Sequence, residues 1–67
     1  MITEIGIVAG DIWHQLEEAE HLSVKDLVRR VGKDPDLLLM GLGWLAREGH
    51  ITIDGDLVSG TIRLNRR

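Results

Sequence analysis

One cluster of side chains in this sequence has the types and spacing to bind a metal ion. Asp11, His14 and Glu18 would project within about 60° of one another on the polar side of a helix. Carboxylate and imidazole groups of this kind can hold a divalent cation. Ordinary solvent-facing polarity explains the same spacing better, so we predict no metal site and no cofactor.

Two groups of basic side chains could hold phosphates. In DNA-bound helical domains, helix ends and β-hairpins often grip the phosphate backbone, which positions the protein without reading the base sequence. Either group alone is explained by an ordinary solvated charged surface. The two groups together leave duplex DNA as an alternative partner. The first group is Lys25, Arg29, Arg30 and Lys33, and the second is Arg63, Arg66 and Arg67.

The sequence contains no arrangement that predicts catalysis. Its two serines are Ser23, which resembles a helix cap, and Ser59, which falls near a turn, and neither has an evident base. The run Gly41-Leu42-Gly43 lies inside a helical pattern and so lacks the strand-to-helix context of a phosphate loop. We therefore predict that the protein is not an enzyme and has no small-molecule substrate.

Length and charge narrow the remaining classes. Sixty-seven residues without cysteine predict a single domain over residues 1–67, stabilised by aliphatic packing or by oligomerisation. The net charge of −3 excludes a strongly basic nucleic-acid binder, although residues 35–67 hold four acidic and four basic side chains. No segment has the roughly 20 apolar residues of a membrane span, and the first 20 residues lack a signal-peptide layout. We expect a cytoplasmic protein with no membrane partner.

The elements that must position these side chains begin with three helices. Apolar residues recur at helical spacing over residues 5–19, which predicts a first helix, and Thr3 just before it is the expected cap. A second helix is predicted over residues 24–31 because Ser23 can cap it. A third is predicted over residues 35–48 because Asp34-Pro35 supplies a cap and a first-turn proline. Both are followed by a glycine, which commonly ends a helix.

A small hairpin is predicted after the helices. Apolar and polar residues alternate over 51–54 and again over 61–65, with a turn signal at Asp54-Gly55-Asp56. Ser59-Gly60 could be a bulge or part of a longer loop, and Leu22 could lie in a brief extended stretch. Helices two and three followed by this hairpin predict a winged helix-turn-helix, which is mainly α with a three-helix core and a C-terminal two-stranded wing.

The third helix has apolar residues on two sides. The side expected to face the core contains Leu38, Leu42 and Leu45, with Leu39 and Ala46 just beyond. The other side, which we call the outer face, contains Leu37, Met40 and Trp44, with Gly41 beside them. A helix that reads DNA presents Arg, Lys, Asn, Gln or Ser to the base edges. Apart from the indole N–H, the outer face has no such group.

Two interpretations of the outer face remain open. The wing and the chain termini could cover it and complete one core, or a second copy could bury it. Glycines at 41 and 43 favour the second copy, because a glycine within a helix costs stability yet permits close approach of another surface. We predict a homodimer with a protein interface at Leu37, Met40, Gly41 and Trp44.

Two runs carry a resemblance to a known family. The runs that carry the resemblance are Ile5-Gly6-Ile7-Val8-Ala9-Gly10-Asp11-Ile12-Trp13 and Leu42-Gly43-Trp44-Leu45-Ala46-Arg47-Glu48-Gly49. The sequence resembles a small family of uncharacterised, stand-alone prokaryotic winged helix-turn-helix proteins. The resemblance implies three helices and a wing and is compatible with a dimer, but it carries over no site residue. The sequence therefore favours a protein-interaction module, with a small dimeric DNA-binding transcriptional regulator as the alternative.

Overall fold

The computed structural model describes residues 2–65 and contains the predicted three helices and hairpin. The elements in chain order are α1 (Ile2–Ala19), β1 (His21–Leu22), α2 (Val24–Val31), α3 (Pro35–Arg47), β2 (Ile51–Asp54) and β3 (Thr61–Leu64). This order of elements confirms the winged helix-turn-helix fold. One difference is β1, which adds a third strand to the predicted two-stranded wing.

The first helix begins earlier than its apolar pattern indicates. It starts at Ile2 rather than at residue 5, so Thr3 lies inside the helix and the expectation that it is a cap was wrong. The periodic pattern marks only the turns that pack on the core, and the exposed first turn is instead favoured by Glu4 near the positive end of the helix dipole. After Ala19 the chain turns sharply at Glu20, whose φ is 60°, and enters β1.

The caps of α2 and α3 are the predicted ones. The Ser23 hydroxyl accepts a hydrogen bond from the Asp26 N–H (3.1 Å), and Oδ1 of Asp34 accepts one from the Asp36 N–H (2.8 Å). Each side chain satisfies a donor that the first helical turn leaves unpaired. Gly32 then ends α2 with a left-handed φ of 69°.

The side-chain cap of α3 should contribute measurably to the stability of the domain. Asp34→Ala should lower the free energy of unfolding by about 1 kcal/mol, because the Asp36 N–H loses its acceptor. Urea denaturation at neutral pH measures the change. The control is Glu18→Ala, which also removes a carboxylate but from the exposed side of α1, where it caps no helix. An unchanged midpoint for Asp34→Ala would show that water replaces the side chain at no cost.

The three strands form one antiparallel sheet in the order β1-β3-β2. Leu22 of β1 and Ile53 of β2 both pair with Ile62 of β3, from opposite sides. The central strand therefore ties the segment before α2 to the wing. Two residues are too few to show an alternating pattern, which explains why the sequence predicts no more than a brief extended stretch there.

The loop of the wing settles the alternative left open at Ser59-Gly60. Residues 55–60 form a loop rather than a bulge, and the Gly60 N–H donates to the Asp56 carbonyl oxygen (2.8 Å). A Cβ at position 60 would lie 2.3 Å from the carbonyl oxygens of both Asp54 and Asp56. Only glycine fits there without a change in the loop.

The core lies between α1, α3 and the sheet, with Leu27 contributed by α2. Its members are aliphatic side chains from all three helices and all three strands, and no polar side chain of the described residues is buried among them. Val24, Val28 and Val31 of α2 are only half-buried, because α2 packs mainly on α1 and β1. The buried set is Val8, Ala9, Ile12, Leu16, Leu22, Leu27, Leu38, Leu42, Leu45, Ile51 and Ile62.

Candidate interaction surface

The exposed side of α3 is apolar over most of its length. Met40 and Trp44 of the outer face remain 46% and 48% exposed, while Leu37 is half-buried against the core. Leu39 is exposed as well, although it was expected to border the core. The wing therefore covers little of this side, and at least two large apolar side chains face outward.

Gly41 does not belong to this exposed side. It was predicted in the protein interface, but it is buried where α1 crosses α3. A Cβ at position 41 would lie 3.1 Å from Val8 Cγ1 and 3.3 Å from the backbone nitrogen of Ala9. The close approach that a glycine permits is here an intramolecular one, so the placement of Gly41 in an intermolecular interface was wrong.

A shallow apolar groove lies beside the outer face, between α1 and the end of α3. It encloses about 260 Å³. Its lining, to which we refer as the groove, is Gly6, Ala9, Gly10, Trp13, Trp44, Leu45 and His50. Trp44 belongs to both surfaces, so the groove and the outer face are continuous.

The aromatic wall of the groove is held together by His50. The ring centroids of His50 and Trp13 are 5.1 Å apart in an edge-to-face arrangement, and those of His50 and Trp44 are 6.4 Å apart. Such pairs contribute about 0.5–1.5 kcal/mol beyond their buried area, which keeps both indoles in place. The floor is open: apart from the adjacent residues and the local α1 backbone, no atom of the described residues lies within 4 Å of a Cβ placed on Gly6 or Gly10.

This groove is only partly predictable from the sequence. Gly6 and Gly10 are four residues apart and so share one side of a helix, which can be read from the spacing. The contribution of His50 could not be read, because it depends on the turn that follows α3. There the His50 N–H bonds to the Leu45 carbonyl oxygen (3.0 Å), which directs the chain back towards α1.

Most of the predicted phosphate-binding side chains are already engaged within the chain. Lys33 Nζ lies 2.8 Å from Asp11 Oδ2, and Arg63 Nε lies 3.0 Å from Asp54 Oδ2. Arg30 donates to Gln15 Oε1 (3.2 Å). Lys25 is exposed, and Arg66 and Arg67 lie outside the described residues. Arg30, Lys33 and Arg63 thus share their surfaces with acidic or amide partners.

Arg29 is the remaining member of the first basic group and pairs with Asp26. Hydrogen bonds from Ser23 and, after them, this pairing with Arg29 hold the pKa of the Asp26 carboxyl below its ordinary value. Asp26 is therefore charged at neutral pH and offsets the arginine. The pair is exposed, so a phosphate that displaced Asp26 would gain little net energy.

The beginning of α3 is acidic. Asp34 and Asp36 occupy its cap and first turn, and with Glu4 of α1 they border a depression of about 310 Å³ next to Leu37 and Met40. In helix-turn-helix proteins bound to DNA, the N-terminal end of the recognition helix, which corresponds to α3, enters the major groove. Two carboxylates there would repel the phosphates that line the groove.

The side chains considered for metal binding do not converge. Asp11 pairs with Lys33, and His14 Nδ1 lies 3.6 Å from Glu17 Oε1. Among residues 2–65 no cluster of three or more His, Cys, Asp or Glu is arranged to hold a metal ion. In the same part of the chain, no helix has the length and apolarity needed to cross a membrane.

Comparison with known proteins agrees with the observed architecture. Residues 1–64 match the model of a family described as a winged helix-turn-helix domain, DUF2582. An uncharacterised protein of Methanocaldococcus jannaschii is 35% identical over 63 residues, which span 91% of this chain and 90% of that protein. A protein of Bacteroides thetaiotaomicron, solved by NMR in solution, superposes with a TM-score of 0.80 at 32% identity, over 92% of this chain and 76% of that one.

Proposed function

Because the chain belongs to the winged helix-turn-helix domain family DUF2582, whose fold alone does not define an activity, we propose a function from its surface. The protein is a non-enzymatic interaction module that forms a homodimer through the outer face of α3. Leu37, Met40 and Trp44 make the contact.

The observation that carries this proposal is the exposure of Met40 and Trp44, each close to one half. Fully burying a large apolar side chain contributes about 1.5–3 kcal/mol, so covering these two would supply a substantial part of a dimer's stability. Tryptophan and methionine are also enriched in protein interfaces relative to the rest of protein surfaces. Both lie on one side of one helix, which makes a continuous patch.

Charge argues against the alternative, a DNA-binding regulator. Asp34 and Asp36 stand where the recognition helix would meet DNA, and Arg63 and Lys33 are paired with carboxylates. Direct readout also needs hydrogen-bonding side chains on the exposed side of α3. The central positions of that side are Leu39, Met40 and Gly43, which supply none.

Trp44→Glu tests the proposal directly. A charge at the centre of the interface should raise the dimer dissociation constant by at least about 30-fold, which corresponds to a loss of about 2 kcal/mol. Sedimentation velocity over a concentration series measures the constant, and circular dichroism checks that the fold is retained. Val58→Glu is the matched control, since it also adds a carboxylate at an exposed apolar position, but on the wing loop.

Salt dependence separates the two functions independently of any variant. Each copy carries a net charge of −3, so screening should leave the dimer unchanged or tighten it as salt is raised. Binding to duplex DNA would weaken steeply over the same range, because released counterions drive it. A wild-type chain that stays monomeric at high micromolar concentration, or that binds duplex DNA at low salt and loses it on Arg63→Glu, would overturn the proposal.

A further inference from the structure

We propose that the dimer is reciprocal: Trp44 of each copy inserts into the groove of the other, so that α1 supplies half of the interface. This inference rests on the proposed function but goes beyond it. It assigns a role to Gly6, Gly10 and Trp13, none of which lies on α3.

The groove offers space for a large flat side chain. Gly6 and Gly10 lie one helical turn apart on α1, and their missing side chains leave the floor open. Trp13 forms one wall and is held at its angle by the edge-to-face contact with His50. With about 260 Å³ available, an indole ring entering from outside would contact backbone below it and an aromatic ring beside it.

The neighbouring outer face supplies a side chain of that shape. Trp44 is 48% exposed and borders the groove of its own chain. A two-fold dimer requires one patch to carry both a projection and a complementary hollow, because each copy must present the same surface to the other. Here the projection, Trp44, and the hollow between Gly6 and Gly10 are side by side.

The charge distribution also fits a second copy. Near a two-fold axis each side chain meets its own equivalent, so a charged residue there would face a like charge. The groove is lined by glycine, alanine, leucine, tryptophan and one histidine, with no carboxylate, lysine or arginine. The acidic side chains Glu4, Asp34 and Asp36 border the depression beside Leu37 and Met40 and not the groove itself.

The size of the molecule is sufficient for such an interface. A stable dimer commonly buries about 800 Å² on each partner. The chain exposes 4461 Å², so that contact would take roughly a fifth of its surface. The groove together with Met40 and the adjoining turns of α1 and α3 provides a continuous region on which the two copies can meet.

Filling the groove tests this arrangement. Gly10→Gln places a long neutral side chain where nothing now lies within 4 Å, and it should raise the dimer dissociation constant by at least about tenfold. The folded monomer should be no less stable, because replacing an exposed helical glycine with glutamine raises helix propensity. Gly6→Gln, one turn earlier, should act in the same way.

The control is Val58→Gln. Val58 is 88% exposed on the wing loop, which contributes nothing to the groove or the outer face. Its dissociation constant should stay within about threefold of wild type, since an exposed substitution outside a contact rarely matters. Sedimentation velocity of the full chain measures all four proteins, with thermal unfolding as the check on folding.

The outcomes separate this inference from the proposed function. A wild-type dimer that Gly10→Gln and Gly6→Gln weaken, and Val58→Gln does not, supports reciprocal insertion. A dimer that Trp44→Glu dissociates but both groove variants leave intact overturns the groove while retaining the outer face. A wild-type monomer overturns both.

Discussion

Replacing Gly41 with leucine is expected to lower the free energy of unfolding by at least about 3 kcal/mol. A Cβ alone would come within 3.3 Å of the Ala9 backbone nitrogen and of Ile12 Cδ1, so the rest of the leucine can be placed only if α1 and α3 separate. A domain of this length has about 3–10 kcal/mol of stability in total. Urea denaturation followed by circular dichroism should therefore find Gly41→Leu largely unfolded or close to it.

Gly43→Leu is the matched control for this prediction. It lies two residues away in the same helix. Apart from its chain neighbours and the local α3 backbone, no atom of the described residues is within 4 Å of a Cβ there. The leucine should raise stability by about 0.5–1 kcal/mol through helix propensity. Because a dimer adds stability that depends on concentration, the proteins must be compared at one low concentration. Equal changes in the free energy of unfolding for Gly41→Leu and Gly43→Leu would contradict the close packing of α1 on α3 at Gly41.

The contrast between Gly41 and Gly43 shows why the position of a glycine on a helix is hard to predict from the sequence. An apolar periodicity locates a helix face through its side chains, and a glycine has none to report which way it points. On the helical wheel Gly41 falls between Leu37 and Leu45, one half-buried and the other buried. Its placement is decided by α1, about 30 residues earlier in the chain, and no local pattern contains that information.

The caps of α2 and α3 and the end of α2 were predictable because each depends on a few adjacent residues. Ser23, Asp34-Pro35 and Gly32 act through hydrogen bonds or backbone angles within one turn, so the sequence shows them directly. The core leucines of α3 were predictable for a similar reason, since one helix period identifies them. The groove was not, because α1, α3 and the turn at His50 build it jointly.

Ile62, the buried residue of the central strand β3, joins the wing to the core. Ile62→Ala should lower the free energy of unfolding by about 3 kcal/mol, because Ile62 is 1% exposed and its removal leaves a cavity under the central strand. That strand pairs with both β1 and β2, so the loss should be shared by the whole domain rather than confined to the wing. Urea denaturation read by fluorescence of Trp13 and Trp44 and by circular dichroism should give one coincident transition.

Ile53→Ala provides the comparison that isolates burial. Ile53 is the direct cross-strand partner of Ile62, so the two point to the same face of the sheet and the deletion is chemically identical. Ile53 is 37% exposed and lies outside the core cluster, so its substitution should lower the free energy of unfolding by only about 1 kcal/mol. If the two substitutions cost the same, the wing packs on the helices through both strands equally. The assignment of β3 as the strand that joins the wing to the core would then be wrong.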